Sequence, residues 1–163
     1  MSIFMDYDGI PGGQTADKHN HGLIDVDDIA WNVRRRITSH TSTRHDRESA
    51  NAVIGDLTLT RRMDGASPYL FVESCCGRGR TVVIRLTKTG SGEGGDVFME
   101  YTLKNALISR YRTGAVSQGG IRPTELVRIS FTAIEVRYTP YDQDGNAMAP
   151  VAVSFDTSTN EKA

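Results

Sequence analysis

Over most of this chain the apolar residues recur with a period close to two, a spacing suited to strands that turn one face to a core. Ile3, Met5 and Tyr7 alternate with Phe4, Asp6 and Asp8 before the turn-forming run Gly9 to Gly13, so the first strand is short. From Leu23 to Arg36, Ile29, Trp31 and Val33 share one face, the expected core face, while Asp28, Ala30, Asn32 and Arg34 share the other. Further strands are expected at Val53 to Met63, Thr81 to Thr89, Val97 to Thr113, Glu125 to Pro140 and Val151 to Phe155. That gives about seven strands with little helix between them. Unpaired edges in such a set are best removed by closing a barrel or by pairing with a neighbour's strands. The run Val97 to Thr113 is long for a strand in a small domain and can reach beyond its own barrel to a neighbouring subunit. The expected fold class is mainly all-β: a small β-barrel, or two-sheet barrel, with one short α-helix.

That helix is expected at Ser67 to Cys76, where Ser67 can cap, Pro68 suits the first turn and Gly77 can end it. Leu70, Phe71 and Ser74 can lie against the barrel. Thr38 to Asn51 is polar and charged with few apolar anchors, and is expected to be a long exposed loop. Gly90 to Gly95 and Ser117 to Gly120 read as hairpin turns, and Thr157 to Ala163 has the composition of a frayed tail. At 163 residues, with no internal repeat and no linker, the chain is expected to form a single domain over 1–156 and a flexible tail over 157–163.

A formal net charge of −1 supplies no global basic field for nucleic acid or anionic lipid, so charge-driven recognition must come from local patches. Asp6 and Asp8 interrupt the apolar run a signal peptide needs, and no segment approaches a membrane span; the chain is expected to fold in the cytoplasm. The two cysteines, Cys75 and Cys76, are adjacent, poorly placed for an unstrained mutual disulfide, and read as a partly buried thiol pair at an element's end. His19 and His21 near Asp17 lack a third metal ligand in register. His40 and His45 would serve Cys75 as a base only if the fold joined them, and the chain carries no G-x-S-x-G or H-E-x-x-H motif. The run Arg34, Arg35 and Arg36 reads as a solvated strand end, and GSGEGG lacks the residues of a phosphate-cradling loop. No catalytic constellation, cofactor or metal is expected.

Four stretches in order resemble the Hcp family of type VI secretion tube proteins. MDYDGIPGGQTADKHNHGLIDVDDIAWNV is similar to that family's opening strand, D-G-I-x-G turn, D-K-H segment and Trp-bearing strand. DLTLTRRMDGASPYLFVESCCGR resembles its strand running into the one helix; YTLKNALISRYRTG and ELVRISFTAIEVRYTPYDQDGN resemble its later strands and acidic turn. The resemblance covers Ile3 to about Ser154. It implies a barrel with one helix, assembled into a hexameric ring, the rings stacking head to tail into a tube fired by a contractile sheath. It further implies effector proteins carried in the lumen, contacts with sheath, spike and baseplate proteins, and export without a signal peptide. On that reading Ala30, Asn32 and Arg34 are the expected lumen and cargo face, and Ser42, Thr43, Arg44, His45, Asp46 and Arg47 the ring-stacking loop. Neither nucleic acid binding nor membrane insertion is expected. The competing reading is a monomeric β-barrel module binding a small ligand or peptide.

Overall fold

The computed structural model describes residues 1–13, 22–38, 48–49, 51–88, 95–117 and 119–163. In chain order its elements are β1 (Ser2–Tyr7), β2 (Ile24–Val26), β3 (Asp28–Ala30), β4 (Val33–Arg34), β5 (Ile37–Thr38), β6 (Glu48–Ser49), β7 (Val53–Ile54), β8 (Leu57–Arg62) and α1 (Ser67–Cys76). There follow β9 (Arg80–Lys88), β10 (Asp96–Gly114), β11 (Thr124–Ser130), β12 (Ala133–Tyr138), β13 (Val151–Asp156) and β14 (Glu161–Lys162).

Two strands that change sheets close the barrel. β2 pairs with β1, while β3, one residue further on, pairs with β8; at the corner the Asp27 N–H donates to the Thr60 carbonyl at 2.9 Å. β10 makes the second crossing: its first half pairs with β9 on one side and β12 on the other, and its second half pairs with β11. Here the register shifts, Asn105 adopts a positive φ of 51°, and the partner chain breaks between β11 and β12, so both strands bend together. Gly79 is needed at this corner, since a Cβ there would lie 1.8 Å from the Asn105 Oδ1. Sheet A is thus β2, β1, β9, the first half of β10, β12, β13 and β14; sheet B is β3, β8, β11 and the second half of β10.

The core fills the space between the sheets with the alternate residues the periodicity selects: Met5, Ile24, Leu57, Leu59, Val82, Ile84, Leu103, Val127 and Ile129 are all fully buried. The expected strand Leu23 to Arg36 is divided into β2, β3 and β4 because it crosses between sheets and then leaves the barrel. Ile29 and Trp31 pack on the core, but Val33 is 52% exposed, so the expected core face ends at Trp31. The ends of the loop expected over Thr38 to Asn51 are also corrected: β4 pairs with β7 and β5 with β6, forming a ribbon that carries the chain out from the barrel. The six steps from Asn32 to Thr38 span at most about 20 Å of extended chain. At the C-terminus, where composition predicts fraying, Thr157 bonds the Thr132 carbonyl through both N–H and Oγ1, and β14 pairs with the end of β13.

Candidate assembly and cargo surfaces

Three cross-strand rows line the inner face of sheet A. They are Tyr7, Val82, Leu103, Ile134 and Phe155; Met5, Ile84, Tyr101, Val136 and Val153; and Ile3, Leu86, Met99, Tyr138 and Val151. Every position is apolar or aromatic, so the whole face is suited to burial. It is covered at one end alone. Tyr101 packs edge-on against Trp31 at 5.8 Å between centroids, but Tyr138, Val153 and Val151 are 47%, 51% and 65% exposed. The β12–β13 ribbon therefore carries the core face beyond its own core.

The outer face of sheet B is different in chemistry. Ala30, Thr58, Arg128 and Arg110 align in one row, Asp28, Thr60, Leu126 and Arg112 in the next, and Arg62 and Thr124 beyond them. The expected cargo residue Ala30 thus shares a cross-strand row with two arginines, with Thr58 between them and it. Asn32 follows on the same exposed side, its carbonyl accepting the Gly55 N–H at 2.9 Å and its side chain resting on Gly55, where a Cβ would meet Oδ1 at 2.9 Å. Arg34, also exposed, lies on the β4–β7 ribbon opposite Val53. Ser42, Thr43, Arg44, His45, Asp46 and Arg47 lie outside the described residues, as do His19, His21 and His40.

A buried polar cluster fastens α1 to the barrel. Arg61, 1% exposed, donates through Nε to the Asp25 carbonyl at 3.0 Å and through Nη1 to Glu125 and to Ser67 Oγ. Its Nη2 lies 2.6 Å from Asp64 Oδ2, an ion pair held by proximity rather than by an aligned hydrogen bond. Ser67 does not cap the helix as expected. Its hydroxyl turns inward to Glu125 and accepts the Asp64 N–H, and Asp64 Oδ1 takes the Ala66 N–H at 2.8 Å. Tyr111 donates to Glu125 Oε2 at 2.5 Å; burial, and then this bond to a carboxylate, push its phenol well above the usual tyrosine range. At the far end of α1, Gly77 terminates the helix through its N–H to the Glu73 carbonyl, in extended rather than left-handed geometry. Cys75 and Cys76 are exposed rather than partly buried, because the last turn projects from the barrel.

Alternation held the signal for the buried pair: Arg61 is in phase with Leu57 and Leu59, and Glu125 with Val127 and Ile129. A charge in phase with a core face requires a buried partner. Arg110 and Arg112, two apart on one strand, carried the signal for the cationic face.

No helix among the described residues is long and apolar enough to cross a membrane. A barrel whose apolar sheet face overruns its core is a building block with surface left to cover. Consistent with that class, the family described as "Type VI secretion system effector, Hcp" matches residues 4–138, and the chain belongs to this family. It is thereby a tube subunit of type VI secretion. The protein hcp1 of Pseudomonas aeruginosa is 28% identical over 152 residues, spanning 93% of this chain and 92% of that one. Among solved structures, one described as a type six secretion system protein superposes with a TM-score of 0.88 at 24% identity, covering 99% of both chains. The crystal structure of Hcp1 from Salmonella typhimurium gives a TM-score of 0.77 at 21% identity, covering 99% of this chain and 98% of that one. These two likenesses are of fold.

Proposed function

We propose that six copies of this chain close into a ring through the uncovered end of sheet A, and that rings stack into the type VI tube. The observation that carries this reading is the run of Tyr138, Val153 and Val151 in register with core residues yet open to solvent. Exposed apolar surface continuous with a core gains free energy only when another surface covers it. A head-to-tail contact between unlike patches closes when the rotation between neighbours divides a full turn, and the two unlike faces of such a ring permit open-ended stacking.

The outer face of sheet B, with Ala30, Asn32 and Arg34 at one side, is the surface assigned to the lumen and to effector cargo. Ser42, Thr43, Arg44, His45, Asp46 and Arg47, which follow β5 and precede β6 in the sequence, are the segment assigned to ring-to-ring contact. Sheath, spike and baseplate proteins are the expected further partners, and the role is structural rather than catalytic. Export proceeds with the tube, from the cytoplasm outward. Light scattering on the purified chain tests the ring: six copies of the 17.9 kDa chain, about 107 kDa, support it, and a single-copy mass at high concentration refutes it.

A further inference from the structure

Elsewhere on this barrel, arginines on an outer sheet face are set among carboxylates. On sheet A one row reads Phe4, Arg85, Glu100 and Arg137; Arg85 Nε bonds Glu100 Oε2 at 3.0 Å, and its Nη1 lies 3.9 Å from Asp6. On sheet B the pattern fails. Arg110 and Arg128 are direct cross-strand neighbours, Arg112 stands two residues along, all three are exposed, and no salt bridge joins any of them to a carboxylate among the described residues. Like charges directly opposite cost stability, so the arrangement does nothing for the fold.

We infer that this face docks the acidic surface of a protein cargo. The inference rests on the cargo-carrying reading above and adds the chemistry of the partner. Three features favour a protein over a nucleic acid. The rows contain no aromatic side chain on which a base could stack. Leu126, Thr58 and Thr60 put apolar and hydroxyl contacts beside the arginines, as a protein interface does. Asp28 ends one row, and Asp27 stands 4.0 Å from Arg62 at the border, where a continuous phosphate chain would meet negative charge. Arginine forks match discrete carboxylates in geometry as well as charge.

The test is fluorescence anisotropy with labelled oligoglutamate, and with labelled oligothymidylate of equal length, against the full chain, with light scattering on the same samples. Oligoglutamate is expected to bind and to weaken roughly tenfold between about 50 and about 200 mM salt. Arg110→Ser combined with Arg128→Ser should weaken it roughly tenfold more, with mass unchanged and melting temperature not lowered, while Arg137→Ser on sheet A leaves it intact. Equal binding by the double variant overturns the inference. So does oligothymidylate binding as tightly as oligoglutamate, which would give the face to nucleic acid. The ring is judged separately: a single-copy mass with arginine-dependent oligoglutamate binding refutes the ring and keeps the docking face, and a six-copy mass without binding does the reverse.

Discussion

Along the row Met5, Ile84, Tyr101, Val136 and Val153 the chemistry barely changes, yet Met5 and Ile84 are fully buried while Val153 is half exposed. The two ends of this face differ in what lies over them. Sheet B covers the barrel end, and no described element covers the β12–β13 end. Burial at the first end acts within one chain and is independent of concentration, whereas burial at the second requires a second chain and depends on it. The same side chains thus serve folding at one end and association at the other.

The largest effect is expected where the barrel end is fastened to the helix. Glu125→Ala leaves Arg61 buried with Asp64 as its one remaining carboxylate, and should cost about 3–5 kcal/mol in urea denaturation. A loss below about 1 kcal/mol would mean that Asp64 alone satisfies the guanidinium. Arg61→Met with Glu125→Leu should cost less than Glu125→Ala alone, since no uncompensated charge remains.

Next comes the barrel end of the sheet face itself. Leu103→Ala removes a fully buried side chain from the first row and should cost about 3 kcal/mol, the same at low and high protein concentration. A cost that grew with concentration would place Leu103 in an association surface and erase the contrast between the two ends.

Tyr7, also in that row, gives the barrel end a pH signature. Its hydroxyl is buried with no hydrogen-bond partner among the described residues, and burial first, then the Glu73 carboxylate, push its phenol from 10.0 up to about 12. A raised folded pKa contributes stability that is fully present below 10.0 and is lost as pH rises through about 12, here about 2–3 kcal/mol. Tyr111 adds to the same alkaline loss. Tyr7→Phe should therefore be neutral near pH 7 and shift the alkaline unfolding midpoint upward. An unchanged midpoint would count against the burial of this hydroxyl.

How much of this was legible in the sequence follows from what alternation encodes. Period two is visible in the runs that hold Met5, Leu59, Ile84, Leu103 and Val127, all fully buried, because facing is a local property of a strand. It did not divide the run through Asp27 or the run through Phe131 and Thr132. Those breaks arise where a strand changes partners, and partner choice is non-local. Alternation also could not separate Ile84 from Val153, since both are in phase and only the tertiary arrangement decides which is covered. Val33 failed as a core residue for the same reason: its phase is right, but the chain has already left the barrel for the ribbon. On the candidate cargo face, Ala30, Asn32 and Arg34 were readable as a polar side of a strand. The alignment of Ala30 with Arg110 and Arg128 depends on the pairing of β3, β8, β11 and β10, which no local pattern specifies.

The smallest expected effect on the single chain is at Val153, and it divides the two ends most sharply. Half exposed on β13, Val153 loses little solvent-shielded area on becoming Asp, so the isolated subunit should change by roughly 0.5 kcal/mol or less. Its effect belongs to assembly. If the row continues into a neighbour's surface, each contact acquires a carboxylate facing apolar atoms, an uncompensated charge that burial cannot accommodate. The melting temperature of the unsubstituted protein should rise with protein concentration, while that of Val153→Asp should not, and light scattering should report one copy in place of six. The contrast with Leu103→Ala is the decisive feature, because the two residues lie on one face of one sheet. A Val153→Asp protein that still forms rings would mean that the open end of sheet A points away from the subunit contact, and closure would then have to use another surface.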